Sequence, residues 1–264
     1  MVHKMASEEW TKLTFWEHAM ELLRHLRTIF FAVAICTVVV MVVPIDLELT
    51  GMWYPTIATT IIKQMQIDFL PIGTELLPVR WIAPLEVYLF TSVIIGFLIS
   101  SPVIAFELHK FINPALQKHE KKEVFKFVVP FVLLFIAGST LGYFLILPTM
   151  LITFSSFAGL LNLPPIYEFS DLYALIGMTL AVSGLIFTFP VFLIALIKAE
   201  IVSSIQITKN RKYVYGVIVI LIAVIDPEPG IVTESVLFIP ILILMEASLV
   251  IAKRIEKSRS TDSQ

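Results

Sequence analysis

Four glutamates interrupt long apolar stretches of this 264-residue chain: Glu86, Glu107, Glu234 and Glu246. A charged group at the centre of a hydrocarbon layer costs a few kcal/mol, so such carboxylates face a bundle interior, a water-filled cavity or a partner. Depth sorts these four. Glu86 and Glu107 fall near the two ends of one apolar run, Glu234 near the start of the last run and Glu246 toward its far end. Interfacial positions follow for Glu86, Glu107 and Glu246. At Glu234, a functional role and structural hydrogen bonding fit equally well. Two further carboxylates lie in charged segments. Glu21 belongs to Thr14-Phe15-Trp16-Glu17-His18-Ala19-Met20-Glu21-Leu22-Leu23-Arg24-His25-Leu26. Thr14 and Glu17 form a capping box that starts a helix. Helical spacing puts Phe15, Ala19, Leu22, Leu23 and Leu26 on one stripe and Glu17, Glu21 and Arg24 on the other face. This is either an anchor helix at a membrane surface or a face offering carboxylates to a cationic ligand. Glu120 stands in Phe111-Ile112-Asn113-Pro114-Ala115-Leu116-Gln117-Lys118-His119-Glu120-Lys121-Lys122-Glu123, which by composition is a solvated charge run.

Covalent chemistry has no visible support. The phosphate-cradling G-x-x-x-x-G-K-[ST] loop does not occur. His3, His18, His25, His109 and His119 make no zinc-binding pattern, and no serine has a G-x-S-x-G context. No catalytic residue, cofactor or metal is expected, and the net charge of −2 gives no reason to expect nucleic acid. The lone cysteine, Cys36, excludes an intrachain disulfide and reads as a small buried hydrophobe.

The elements that must position these carboxylates are membrane helices. The chain is 58% hydrophobic and 15% charged, against about half and about a quarter for a soluble domain. Runs suited to crossing a bilayer are 29–43, 85–106, 127–152, 172–197, 213–225 and 231–252. The first is short and is fed by an amphipathic helix at 14–27. The fifth is shorter still, so the last two are either short spans or one re-entrant hairpin turning at Asp226-Pro227-Glu228-Pro229-Gly230. Lys and Arg decide the orientation: 17 of 19 lie before the first run, in the second and fourth connections, or in the tail. The excess of cytoplasmic Lys and Arg then places both termini in the cytoplasm, with six spans. Residues 44–84, with Trp53, Tyr54, Trp81 and the helically spaced Ile57, Ile61, Ile62 and Met65, predict a short helix within an extracytoplasmic cap, to which 154–170 adds. Met1–Arg27 is too polar for a cleavable signal peptide. The tail, 255–264, is expected to be disordered. The whole is one all-α polytopic membrane domain without an internal repeat.

At these carboxylates the chain resembles the TatC family of twin-arginine protein translocases. That family's N-terminal motif approximates E-H-L-x-E-L-R-x-R-L and stands here as Glu17 to Leu26. Ser101-Pro102-Val103-Ile104, Phe111 to Leu116 and Lys118-His119-Glu120-Lys121-Lys122 match more closely. Gly142-Tyr143-Phe144 and Pro148, then Phe189-Pro190, Pro240 and Glu246, follow at family spacing. The resemblance implies a non-enzymatic receptor for twin-arginine signal peptides of folded substrates, driven by the proton gradient in the cytoplasmic membrane. It implies that Glu21 and Glu120 contact the arginine pair, with Phe111, Lys118 and His119 beside them. Planar carboxylates suit a guanidinium pair through charge-assisted, often bidentate hydrogen bonds. Single-span TatA- and TatB-type proteins, membrane lipids and further copies of the chain are the implied partners. Intramembrane polar or partner contacts would fall to Glu86, Thr188, Glu234 and Glu246. The chain departs from the motif at Leu23, where an arginine is usual and Arg24 follows one place late. Thr188 replaces a common glutamate, Glu234 a glutamine, and 226–230 an outer T-P-P-D. The rival reading is a proton- or ion-coupled small-solute transporter built on Glu234 and Glu246.

Overall fold

The computed structural model describes residues 15–45, 54–70, 74–112, 121–164, 166–199, 201–225 and 231–262, with the side chains of Phe15, 17–18, 121–123, 221–225, 231–237 and 255–262 excluded. The chain is almost wholly helical among them. Each long helix carries a near-continuous apolar sequence, and many of its large side chains stand exposed, Phe30, Leu133, Phe144 and Ile152 among them. Contiguous exposure on this scale needs an apolar surrounding, which lipid supplies.

The first helix, α1 (Phe15–Val42), runs without a break, so the expected division into an amphipathic helix and a separate first span does not occur. Its two faces differ in exposure. Glu21, His25, Ile29 and Val33 form the half-buried stripe, whereas Leu22, Leu23 and Leu26 are exposed. In a bilayer the apolar stripe is stable against lipid, and the polar one gains by meeting protein.

The second span is bent. α3 (Ala83–Ile99) and α4 (Ser101–Ile112) meet at 57° about Ser100, where the expectation was one run from 85 to 106. Pro102 lacks the N–H that would continue the helical ladder into α3, and the Ser100 hydroxyl bonds the Phe97 carbonyl at 3.0 Å. The third span is longer than the expected 127–152. It comprises α5 (Lys121–Leu141), a π-helical turn at Gly142–Ile146 and α6 (Leu147–Leu160). Pro148 removes one i→i−4 donor, and Leu147 N–H instead reaches back five residues to the Gly142 carbonyl.

At the centre lies α7 (Phe169–Lys198), the most enclosed helix, against which α3, α5 and α10 pack. Close approach to α5 depends on small residues. A methyl added at Gly138 would sit 2.6 Å from the Ser183 carbonyl oxygen. Phe127, Phe131 and Phe135 recur every fourth residue on α5 and stack into the core shared with α1, α4 and α7. A second core joins α6 and α7 to α8 (Ser204–Lys209), α9 (Arg211–Ile225) and α10 (Ile231–Asp262). The last helix continues to Asp262, so most of the expected disordered tail is helical.

The expected helix in the 44–84 connection is present as α2 (Ile57–Phe69), capped by Thr56, which accepts from Thr59 N–H while Thr59 bonds back. Met65 and Phe69 bury against α3, α6 and α7. A two-stranded parallel ribbon of β1 (Glu75–Leu77) and β2 (Ile166–Glu168) ties the two connections at that end together. By length and composition, three helical stretches suffice to cross a membrane among the described residues: α1, α5 through α6, and α7. The bent α3–α4 pair makes a fourth.

Candidate functional site

The end of the bundle bearing the Lys-rich connections holds a charged junction. The bend at Ser100 turns α4 so that it packs along the first turns of α1. There His25 Nδ1 lies 2.6 Å from Glu107 Oε2, and Lys110 Nζ donates to Glu107 Oε1 at 2.9 Å. The side chains of His25 and Glu107 are only 12% and 8% exposed, so one buried carboxylate joins the two helices. An ionised carboxylate only accepts, which puts the proton on Nδ1. The Phe111 ring meets His25 edge-on at 6.2 Å, closing the junction from the apolar side.

Glu21 stands one turn before His25 on the same stripe of α1, half-buried. α4 ends at Ile112, and Glu120 immediately precedes Lys121, the first residue of α5. Glu120, Lys118 and His119 themselves lie outside the described residues, as does Thr14 of the expected capping box. The structure thus brings Glu21 and Phe111 to one junction.

The remaining candidates are dispersed. Glu86 is at the opposite end, exposed, and accepts from Arg80 at 2.7 Å. Thr188 is buried in α7 and donates to the Leu185 carbonyl of its own helix at 2.6 Å. Glu246 is half-buried and accepts from both Arg211, at 3.0 Å, and the Tyr215 hydroxyl. Glu234 is on α10, its side chain outside the described set. Glu107, expected at a membrane interface, lies near the Lys-rich end of α4, is 6% exposed and takes two partners. Its recruitment of His25 was missed. The i, i+3 spacing of Glu107 and Lys110 was a visible signal for half of it. The other half sits in the N-terminal motif, where His25 fills the position of the second arginine.

A sequence model described as TatC, Sec-independent protein translocase protein, matches residues 17–240. The chain belongs to the TatC family. A TatC of Blattabacterium is 30% identical over 265 residues, covering 95% of this chain and 99% of its own. The Aquifex aeolicus TatC is 33% identical over 68% of this chain and 74% of its own, and the Bacillus subtilis TatCy 30% over 68% and 72%. A crystal structure of the twin-arginine translocase receptor TatC superposes with a TM-score of 0.70 at 26% identity, over 89% of this chain and 98% of that one. TatC proteins are membrane components of Sec-independent protein translocation and not enzymes, and this chain shares that role. The coupled small-solute transporter reading is not favoured.

Proposed function

We propose that the chain is the signal-peptide receptor of a twin-arginine translocase, lying in the cytoplasmic membrane with six spans and both termini in the cytoplasm. The observation that supports this best is the Glu107 bridge. It fixes the start of α1, with Glu21, against the part of α4 that leads to the Glu120 segment. Glu21 and Glu120 hold the arginine pair of the signal, and Phe111, Lys118 and His119 border it. His25 and Glu107 position Glu21 without touching the ligand. The crystal structure that this chain resembles is itself named as a receptor, which agrees with this role. The six-span count rests on the charge alternation of the connections, with α9 and α10 as the two remaining spans. At about 1.5 Å per residue, the 15 residues of α9 reach only about 22 Å, which a locally thinned bilayer accommodates. The α2 region and the β1–β2 ribbon then form the extracytoplasmic cap. TatA- and TatB-type single-span proteins dock on the exposed helix faces, with Glu86, Glu234 and Glu246 as polar contacts, whereas Thr188 is buried within α7 and does not reach those faces; copies of the chain can associate.

The test is binding of a twin-arginine peptide to the purified chain in lipid nanodiscs, with a twin-lysine peptide as control. Lysine lacks the planar fork, so the control should bind more weakly. Glu21→Gln and Glu120→Gln together remove two charge-assisted contacts and should weaken binding about 100-fold or more. Equal binding of the two peptides, or indifference to both substitutions, overturns the proposal.

A further inference from the structure

The corner where α8 turns into α9 exposes apolar side chains on a rigid frame. Gln206 N–H donates to Ser203 Oγ and Ser203 N–H to Gln206 Oε1, both at 3.2 Å, closing a capping box. Val202, just before the cap, and Ile207, the fourth residue of α8, enter the same core, a staple that fixes which side of the helix faces inward. At about 100° per residue, Ile205 and Lys209 then stand about 160° from Ile207, on the outward side. Ile205 is 74% exposed, Ile201 ahead of the cap 62%, and Lys209 is exposed as well. Only Asn210 separates α8 from α9, and Tyr213 N–H donates to its carbonyl at 3.0 Å, so the corner is tight. From there Tyr213, Val217 and Ile220 follow at helical spacing, all exposed, as the lipid-facing stripe of α9. Tyrosine favours the headgroup level, and Lys212 Nζ stands 5.1 Å from the centre of the Tyr213 ring. Residues 198–225 hold four basic side chains and a single acid, Glu200; of the basic ones, Arg211 is engaged by Glu246. A docking partner helix would need a stripe several turns long, and the six residues of α8 offer fewer than two turns. Lipid needs no such length.

We propose that the outward face of α8 and the first turn of α9 form an interfacial docking surface for anionic phospholipids, with Ile201 and Ile205 dipping into the acyl boundary and Lys209 and Lys212 holding headgroup phosphates. The surface continues the lipid-facing stripe of α9, and its exposed charge is cationic, which complements an anionic leaflet. It also answers a mismatch. The 15 residues of α9 reach only about 22 Å, and a short span is accommodated by a thinned bilayer and by flanking lysines that reach for the headgroups. Headgroups drawn in by Lys209 and Lys212 thin the leaflet at the Lys-rich end of α9, where the short helix needs it.

The experiment uses the full chain in nanodiscs of equal phosphatidylglycerol and phosphatidylcholine with identical acyl chains. A nitroxide is placed at position 205, by Ile205→Cys on a Cys36→Ser background. Oxygen, which concentrates in the bilayer, should relax this label more than a water-soluble nickel complex does; the reverse order overturns the proposal. Native mass spectrometry from the same discs reads headgroup choice. The chain should retain phosphatidylglycerol preferentially, and Lys209→Gln and Lys212→Gln should each reduce that preference about fivefold, while Lys209→Arg and Lys212→Arg keep it. Lys63→Gln, on α2 at the opposite end, should leave it unchanged. A preference that survives the double glutamine variant overturns the proposal, as does one reduced equally by Lys63→Gln. Nanodiscs have no sidedness, so the result does not depend on which end of the bundle is cytoplasmic. Twin-arginine peptide affinity measured in the same discs reads the receptor function separately, so either idea can fail alone.

Discussion

The two ends of the bundle are fastened by different chemistry. At the Lys-rich end the link between α1 and α4 is ionic: one buried carboxylate shared by an imidazole and an ammonium. At the opposite end the links are mostly neutral phenols donating to backbone carbonyls. Tyr88 bonds the Met41 carbonyl at 2.6 Å and Tyr173 the Ile62 carbonyl at 2.8 Å, tying α3 to the end of α1 and α7 to α2. Tyr143, from the π-helical turn, donates to Asp68 on α2. A phenol-to-carbonyl bond has no alternative partner in hydrocarbon or in a charged ligand, so it holds geometry. A carboxylate with two donors can release one to an incoming group. The ionic end suits an event such as peptide binding, and the neutral end suits a fixed frame.

Glu107→Ala should do the most damage at the ionic end. It removes the acceptor shared by His25 and Lys110 in a mostly buried site, and removal of one member of such a group costs about 3–5 kcal/mol. Thermal unfolding in detergent should register that loss, together with weaker twin-arginine peptide binding. Glu107→Gln keeps the shape and an acceptor oxygen, so it should restore much of the stability but not the charge-assisted hold on His25. If the two variants are equally stable, the junction is packing rather than ion pairing.

Next in size is Gly96→Val. A methyl at Gly96 would lie 2.7 Å from the backbone nitrogen of Thr37 and 2.9 Å from its Cα, and neither atom can move as a side chain does. Forcing α1 away from α3 should cost about 1–3 kcal/mol. Because α1 is continuous, the displacement reaches His25, so peptide binding should fall with stability. Loss of stability with unchanged peptide affinity would show that α1 flexes between its two ends.

These effects bear on how much the sequence disclosed. Four long helical stretches were legible because apolar length is a one-dimensional signal; α7 falls within a few residues of its expected 172–197. The bend at Ser100 and the π turn were not, since Pro102 and Pro148 mark a perturbation without its angle or repair. The stripe of Leu22, Leu23 and Leu26 was legible from its spacing, and its exposure suits lipid; what the Glu21 face would meet was not. Glu21 was found through a motif. The contact of Glu107 with His25, one turn after Glu21, was missed because it joins residues 82 positions apart, and no local spacing reports it.

At the neutral end, Tyr173→Phe removes one hydroxyl from the α7–α2 link and leaves the Ile62 carbonyl without that donor. The expected loss is about 0.5–1.5 kcal/mol. Peptide affinity should not change, because the substitution lies at the end opposite Glu21. A drop in affinity matching that of Glu107→Ala would mean that the two ends are coupled through α7, and the division between them would fail.

The smallest effect separates an ion pair by position from an ion pair by consequence. Arg80 and Glu86 meet at 2.7 Å, a shorter contact than Lys110 to Glu107, yet their side chains are 54% and 45% exposed. Exposed charges keep most of their hydration and are screened by salt, so such a pair contributes about 0.2–1 kcal/mol. Glu86→Ala should therefore shift thermal unfolding barely, and added salt should erase the shift. Glu107→Ala should remain costly at the same salt concentration, because a buried carboxylate is little screened. If Glu86→Ala proves as damaging as Glu107→Ala, then distance alone would govern these contacts and burial would not be what distinguishes the junction at α1.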